Sequence, residues 1–322
     1  MKTVIIKFGG SSLADPGKIR RAAAMVLAAR RADRFPVAVV SAPADATDDL
    51  LKLASLTAGA ELSPRETDAL LAGGEQFSAA LLALAIQAEG GKAVSLTGAQ
   101  AGILTDSSFS RADIKKIDSR RLRREIAAGR IPVVAGFQGA AAGGDITTLG
   151  RGGSDLTAVA IARALKAALC EFRTDVKGIY TAHPGIVPEA RKIDAISYHE
   201  VIKLAELGSE VRQLRAIKYA QRYAIPLHLR SSFHDEPGTM VTKGGGKAGV
   251  ACLSLKKETA SSLVAAIGHG LGAAHSEKAR AAAASAGIST KLRRPTKDAI
   301  IMETGHTEAE GLLKALHAAF FR

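Results

Sequence analysis

The chain has 322 residues, 47% of them hydrophobic and 4% aromatic, with no Trp; that is enough for one large domain and a smaller one, and too few rings for the stacking platforms that hold single-stranded nucleic acid. Lys and Arg number 44 against 31 Asp and Glu, a formal net charge of +13, but they are spread without long runs, which reads as a solvated basic surface or an anionic small substrate and excludes a concentrated nucleic-acid footprint. Cys170 and Cys252 share no metal-type spacing, no apolar run reaches a membrane span and the N-terminus enters a strand pattern directly, so the expectation is a soluble cytoplasmic protein in a reducing compartment, without disulfides, resident metal, or nucleic-acid and membrane partners.

Residues 3–8 (TVIIKF) read as a buried strand that ends in Gly9-Gly10-Ser11-Ser12, and Asp15-Pro16 starts a helix to about residue 32. A parallel strand feeding a Gly/Ser loop and a helix can hold phosphates. Lys7 stands where an ammonium could reach a transferring phosphoryl group, and it precedes the glycines, so this is not a Walker A loop. Residues 36–40 are a second buried strand, leading to Ser41 and Thr47 at the end where open α/β sheets place ligands; Thr47 could equally cap the next helix. Ser63-Pro64-Arg65-Glu66 has the form of a capping box with Pro at N1. The helix it opens contains Gly73-Gly74, at a cost of about 2 kcal/mol relative to alanines. That predicts a break or a close backbone approach, with Glu75 presented beside it.

Further strands are read at 92–96, 131–135, 168–172 and 225–230, and helices at 197–207 and 209–223. Residues 145–161 (DITTLGRGGSDLTAVAI) form a glycine-rich turn running into a helix from Leu156, with Ser154 and Asp155 where an N-cap is expected. Arg151 can fork onto a carboxylate or phosphate. Strands alternating with helices over some 230 residues predict an α/β fold, a mostly parallel sheet sandwiched by helices. A composition break at 236–248 is read as a linker. Beyond it the order strand, strand, helix, two strands, helix predicts a small α+β domain with no catalytic residue and with surface histidines.

The motifs KFGGSSL (7–13), VVSAPADATDDLLKLA (39–54), GGEQFSAALLALA (73–85), TGAQAGILTD (97–106), IPVVAGFQG, DITTLGRGGSDLTAVAIA and IVPEARKIDAISYHEVIKLAELG (186–208) together resemble the aspartate kinases of the amino-acid kinase superfamily. The C-terminal part resembles their ACT regulatory modules. The resemblance implies a kinase domain at 1–235, a linker at 236–248 and an ACT-like domain at 249–322. It implies transfer of the ATP γ-phosphoryl to the side-chain carboxylate of L-aspartate, with Mg²⁺ bridging phosphate oxygens. Ser41, Thr47, Glu75, Arg151, Ser154 and Asp155 would hold aspartate, Arg151 on a carboxylate and Glu75 on the ammonium. Lys7 would stabilise the transferring phosphoryl, Gly9, Gly10 and Ser11 would cradle phosphates, and Thr174, Asp175 and Tyr180 would lie along the nucleotide.

The departures fall on the nucleotide side. Where the family reads YTDVDGVYTADPR, this chain reads FRTDVKGIYTAHPG, so Arg173, Lys177, His183 and Gly185 replace Tyr, Asp, Asp and Arg. Glu210 stands where the family has a phosphate-contacting Lys, and a carboxylate beside a triphosphate is repulsive. Two readings follow. In one, Arg173, Lys177 or Arg212 supplies the missing charge and a His183–Glu210 pair replaces an Asp–Lys pair. In the other, the chain is a catalytically weak amino-acid-binding or regulatory homologue, or a kinase for a related carboxylate with another phosphate donor. Some 75 residues follow the linker, room for one ACT module where the family commonly carries two; a single module could still pair across a homodimer.

Overall fold

The computed structural model describes residues 2–208, 214–246 and 248–322. Its packing divides the chain into two units: residues 1–177 with 225–236, and residues 178–224 with 237–322. The division read from motifs cuts the chain elsewhere, because packing groups 178–224 with the C-terminal strands.

In chain order the first unit contains β1 (Lys2–Phe8), α1 (Pro16–Arg31), β2 (Arg34–Val40), α2 (Ala46–Ala58), α3 (Pro64–Ala88), β3 (Ala93–Leu96), β4 (Ile103–Thr105), β5 (Ile114–Ile117), α4 (Arg120–Ala127), β6 (Ile131–Ala135), β7 (Gln138–Ala140), β8 (Ile146–Thr148), α5 (Gly153–Leu165) and β9 (Leu169–Thr174). The chain then forms β10 (Ala195–Ser197), α6 (Tyr198–Glu206) and α7 (Leu214–Tyr223) of the second unit, and returns for β11 (Leu227–Ser231) of the first. The remaining elements are β12 (Thr239–Thr242), β13 (Gly249–Lys257), β14 (Ser262–His269), α8 (Ala273–Ser285), β15 (Lys291–Leu292), β16 (Ala299–Thr304) and α9 (Ala309–Phe321).

The sheet of the first unit runs β11-β9-β1-β2-β6-β3, and every one of these pairs is parallel. The apolar run of β1 suits a strand covered on both faces. Val4, Ile6 and Phe8 join Ile19, Val26, Leu82 and Ile86 in one buried cluster, so this face packs on α1 and α3. Side chains alternate along a strand, which turns Lys7 to the other face, where it meets Asp155 of α5. The strand order reverses direction between β1 and β9, and the crevice at the C-terminal ends there is where open parallel sheets place ligands.

Three local expectations change. Helix α3 runs unbroken through Gly73 and Gly74. The glycine that matters is Gly74, where an added Cβ would stand 2.8 Å from the Cβ of Ala42; the reason is close approach, not a break. The capping box at Ser63 does not form, since its side chain caps nothing and Glu66 pairs with Arg65; a capping box forms instead at Ser197 and Glu200. Helix α3 is also long and apolar enough to cross a membrane by length and composition, against the expectation that no stretch is. Its packing on β3, β6 and β8 makes it a core helix of this unit.

A second small sheet, β5-β4-β7-β8, was not legible from the sequence because its strands have only three or four residues. In the second unit, Thr239–Thr242 of the expected linker pairs in parallel with β10, so that stretch contributes a strand. The C-terminal sheet is antiparallel, β13-β14-β16-β15, with α9 packed on it and Ala279 and Ala283 of α8 in the same buried cluster, an ACT-like arrangement. Of the histidines expected at the surface, His269 and His306 are exposed, whereas His317 is buried, 2.9 Å from Thr181 Oγ1.

Candidate active site

The ends of β1, β2 and β6, the middle of α3 and the first turn of α5 converge in the first unit. Lys7 lies beside Val39 and Phe172 in register. Its Nζ is 2.6 Å from Asp155 Oδ1, and the two residues are 8% and 7% exposed. Helix α5 begins at Gly153 with Gly152 as N-cap in the left-handed region, φ 76°. Ser154 and Asp155 therefore occupy the first turn, not the cap, and the helix starts three residues before Leu156. With Gly152 at the cap, the Asp155 carboxylate is free for Lys7, while it still sits at the positive end of the helix dipole. Gly136 lets Ser154 approach, since a Cβ there would stand 2.8 Å from both Ser154 Cβ and the Val40 carbonyl oxygen.

The loop after β2 is clasped from two sides. Ser41 N–H donates to the Phe8 carbonyl, and Ala44 N–H to the Gly10 carbonyl. A Cβ on Gly10 would be 2.8 Å from the Ala42 carbonyl oxygen, and Gly74 closes the other side. Both glycines thus serve one loop, although 64 residues of sequence separate them. Ala42 N–H donates to Glu75 Oε1 at 3.0 Å. Glu75 is 4% exposed and its second oxygen, Oε2, has no partner. Burial pushes its carboxyl up to about 7, against the Ala42 hydrogen bond and the nearby Lys7 charge. Thr47 does not cap α2; Asp45 holds that position, and Thr47 lies half-buried in the first turn.

Arg151 is exposed and, among the described residues, has no side-chain partner. Ser11 Oγ is buried without a partner, while Ser12 Oγ pairs with Ser232 Oγ at 2.7 Å. At Gly9 an added Cβ would be 3.8 Å from Lys7 Nζ. Thr174 Oγ1 accepts from Val176 N–H, and Asp175 is exposed. Tyr180, bridged to Lys192, and the exposed His183 belong to the second unit. Glu210 and Arg212 lie outside the described residues, and with them the expected His183–Glu210 pair. Two residues expected to supply charge are committed elsewhere: Arg173 donates to Glu171 at 2.6 Å and to the Ser231 carbonyl, and Lys177 meets Glu236 at 2.9 Å.

Sequence reading missed Asp68. It lies two turns before Glu75 on the buried side of α3 and is fully buried. It accepts Ser110 N–H on both oxygens, Thr148 N–H at 2.7 Å and Thr148 Oγ–H at 2.7 Å. It thereby anchors the end of β8, three residues before Arg151. The signal was an acidic residue within the apolar period of a core helix. Replacing Asp68 by Ala orphans these buried donors, and we expect a loss of about 3 kcal/mol in urea unfolding; recovery of more than half of it in Asp68→Asn would refute a role for the charge.

The family model for the amino acid kinase family matches residues 2–231. An aspartokinase of Mycolicibacterium smegmatis is 49% identical over 242 residues, 75% of this chain and 57% of that protein; one of Pseudomonas aeruginosa is 46% identical over 242 residues, 75% and 58%. The chain thus spans somewhat over half the length of these relatives. Among solved structures, E. coli aspartokinase III in complex with aspartate and ADP is similar with a TM-score of 0.81, at 21% identity and with 100% of both chains covered. Aspartate kinase from Synechocystis is 28% identical with a TM-score of 0.67, covering 99% of this chain and 69% of that one.

Proposed function

The chain belongs to the amino acid kinase family, and from that premise we propose that it transfers the γ-phosphoryl group of ATP to the side-chain carboxylate of L-aspartate, giving 4-phospho-L-aspartate. The observation that carries the reading is the pair of buried charged groups at the end of β1: Lys7 Nζ on Asp155, and Glu75 with a buried, unpartnered carboxylate oxygen. An amino acid supplies what each lacks. In this reading its ammonium neutralises Glu75, its α-carboxylate takes the fork of Arg151, and the hydroxyls of Ser41, Thr47 and Ser154 add contacts to it. The acceptor carboxylate ionises near pH 4 and is already a nucleophile at neutral pH, so no general base is required.

One carboxylate oxygen attacks the γ-phosphorus, the bond to the bridging oxygen breaks, and its electron pair leaves on the β-phosphate of ADP. The work left to the protein is positioning and charge neutralisation. Lys7 neutralises charge on the transferring group, and Asp155 fixes the ammonium in place. The partnerless Ser11 Oγ, with the Lys7 ammonium 3.8 Å from where a Cβ on Gly9 would stand, suits a phosphate chain. Among the described residues no three His, Cys, Asp or Glu side chains gather as a metal cage; Mg²⁺ would be held largely by phosphate oxygens and water and supply further charge neutralisation.

The commitment of Arg173 and Lys177 to other carboxylates favours the second reading, an amino-acid-binding homologue with weak transfer. Hydroxylamine trapping of the acyl phosphate, with L-aspartate, ATP and Mg²⁺, separates the two. Aspartyl hydroxamate is the expected result; its absence while aspartate still binds by calorimetry establishes the second reading. The same premise carries a cytoplasmic homodimer, for which the exposed Phe77 and Leu84, one heptad apart on α3, offer an apolar stripe.

A further inference from the structure

A cavity of about 520 Å³ lies within the first unit, on the face of the sheet opposite Lys7. Val4 and Ile6 line it, whereas Ile5 and Lys7 do not. Alternation along β9 brings Leu169, Glu171 and Arg173 to the same wall, and Met25 and Ala29 of α1 form the facing side. Four guanidinium groups border it, Arg21, Arg34, Arg173 and Arg230, against the carboxylates of Glu171 and Asp235. Glu171 is 5% exposed and is consumed within the wall: Arg173 Nε donates to it at 2.6 Å and Arg230 Nη1 stands 3.8 Å away. Asp235 is exposed and pairs with Arg230 Nη2 at 3.3 Å, which leaves Arg21 and Arg34 without a carboxylate among the described residues. Two positive charges are left uncompensated over an apolar floor that includes Met25 and the Phe233 ring.

Two residues of this wall also hold the glycine loop. The Arg173 carbonyl accepts the Gly9 N–H at 3.2 Å. Ser232, a lining residue, pairs its hydroxyl with that of Ser12 at 2.7 Å, and its N–H donates to the Thr174 carbonyl. A ligand that moves Arg173 or Ser232 therefore moves residues 9–12 directly.

We propose that this cavity binds a small organic dianion with an apolar body, and that its occupancy is felt at the Gly9–Ser12 loop. Arginine forks match phosphate and carboxylate oxygens, and Glu171 holds two of them in place before the ligand arrives, which lowers the ordering cost of binding. The coupling to the loop rests on the nucleotide reading above; the site itself does not.

Calorimetry on the full chain with saturating ADP tests it, because ADP fills the nucleotide phosphate positions. The probes are phenyl phosphate, phthalate and inorganic phosphate. We expect a ring dianion to bind at least tenfold more tightly than inorganic phosphate, and whichever of phenyl phosphate and phthalate binds better identifies the anionic head. Arg34→Ala, at the exposed start of β2, and Ala29→Trp, which fills the cavity, should each weaken it tenfold or more. No heat from either ring dianion, or binding indifferent to both variants, overturns the site. The ring dianion should also change ADP affinity about fivefold or more, by linkage. An unchanged ADP affinity overturns the coupling, whereas a failure of ADP to bind at all refutes the nucleotide reading and leaves the site to be judged on the probe isotherms.

Discussion

Replacing Lys7 by Ala should lower kcat for aspartate phosphorylation by about 10³-fold, the scale on which a preorganised charge at a reacting group acts, while the KM for aspartate changes little. The ammonium lies at the end of β1, 3.8 Å from where a Cβ on Gly9 would stand and 2.6 Å from Asp155. In the proposed reading it serves the phosphoryl side of the site, and Arg151 and Glu75 serve the amino-acid side. Lys7→Arg should not rescue activity, because the guanidinium is larger and planar where the ammonium is a compact point charge. The substitution also strands a buried carboxylate at Asp155, which costs about 3–5 kcal/mol in such settings. The double variant Lys7→Met/Asp155→Asn removes that penalty. It should unfold close to the parent yet remain inactive in the hydroxamate assay; an active double variant would show that Lys7 does not serve the transferring phosphoryl.

Glu75 sets a pH dependence of opposite sign to that of an ordinary paired carboxylate. Its folded-state pKa, about 7, lies above the ordinary value of 4.5. The folded chain therefore binds more protons than the unfolded chain between those pH values, and stability falls as pH rises from 4.5 to 7. The shift corresponds to a cost on the order of 3 kcal/mol above pH 7. Glu75→Gln keeps an acceptor for Ala42 N–H and cannot ionise, so it should match the parent at pH 4.5 and exceed its stability at pH 8. The same substitution should weaken aspartate binding by about tenfold to a hundredfold, the value of a hydrogen bond between charged groups. In the parent, aspartate should release close to one proton on binding at pH 6, as the ammonium draws Glu75 into its charged form. Calorimetry in buffers of different ionisation enthalpy reads that proton directly, and its absence would sever Glu75 from the ammonium.

Much of the fold follows from patterns with a local physical cause. The buried runs of β1, β2, β6 and β9 cannot sit at a polar surface, and the helices between them dictate parallel pairing. The small sheet β5-β4-β7-β8 is not legible in the sequence because strands of three or four residues carry too few alternations to stand out. Gly73-Gly74 pointed to the right place for an incomplete reason. A glycine pair reports that something approaches, but the approaching group, Ala42, is 32 residues away in the chain.

Local stretches of chain settle which groups exist and on which short motifs they ride: Lys7 before the glycines, Glu75 after them, and Arg151, Ser154 and Asp155 at the head of α5. These are fixed by neighbours within a few residues. The packing of distant segments settles how the charges are paired. It gave Asp155 to Lys7 and not to a cap, gave Arg173 to Glu171 and not to the crevice, and left Glu75 half-satisfied behind Ala42. A charge in a sequence has no partner until folding removes the water around it. Which opposite charge then stands within 3 Å is settled by strand order and by the face on which each side chain emerges.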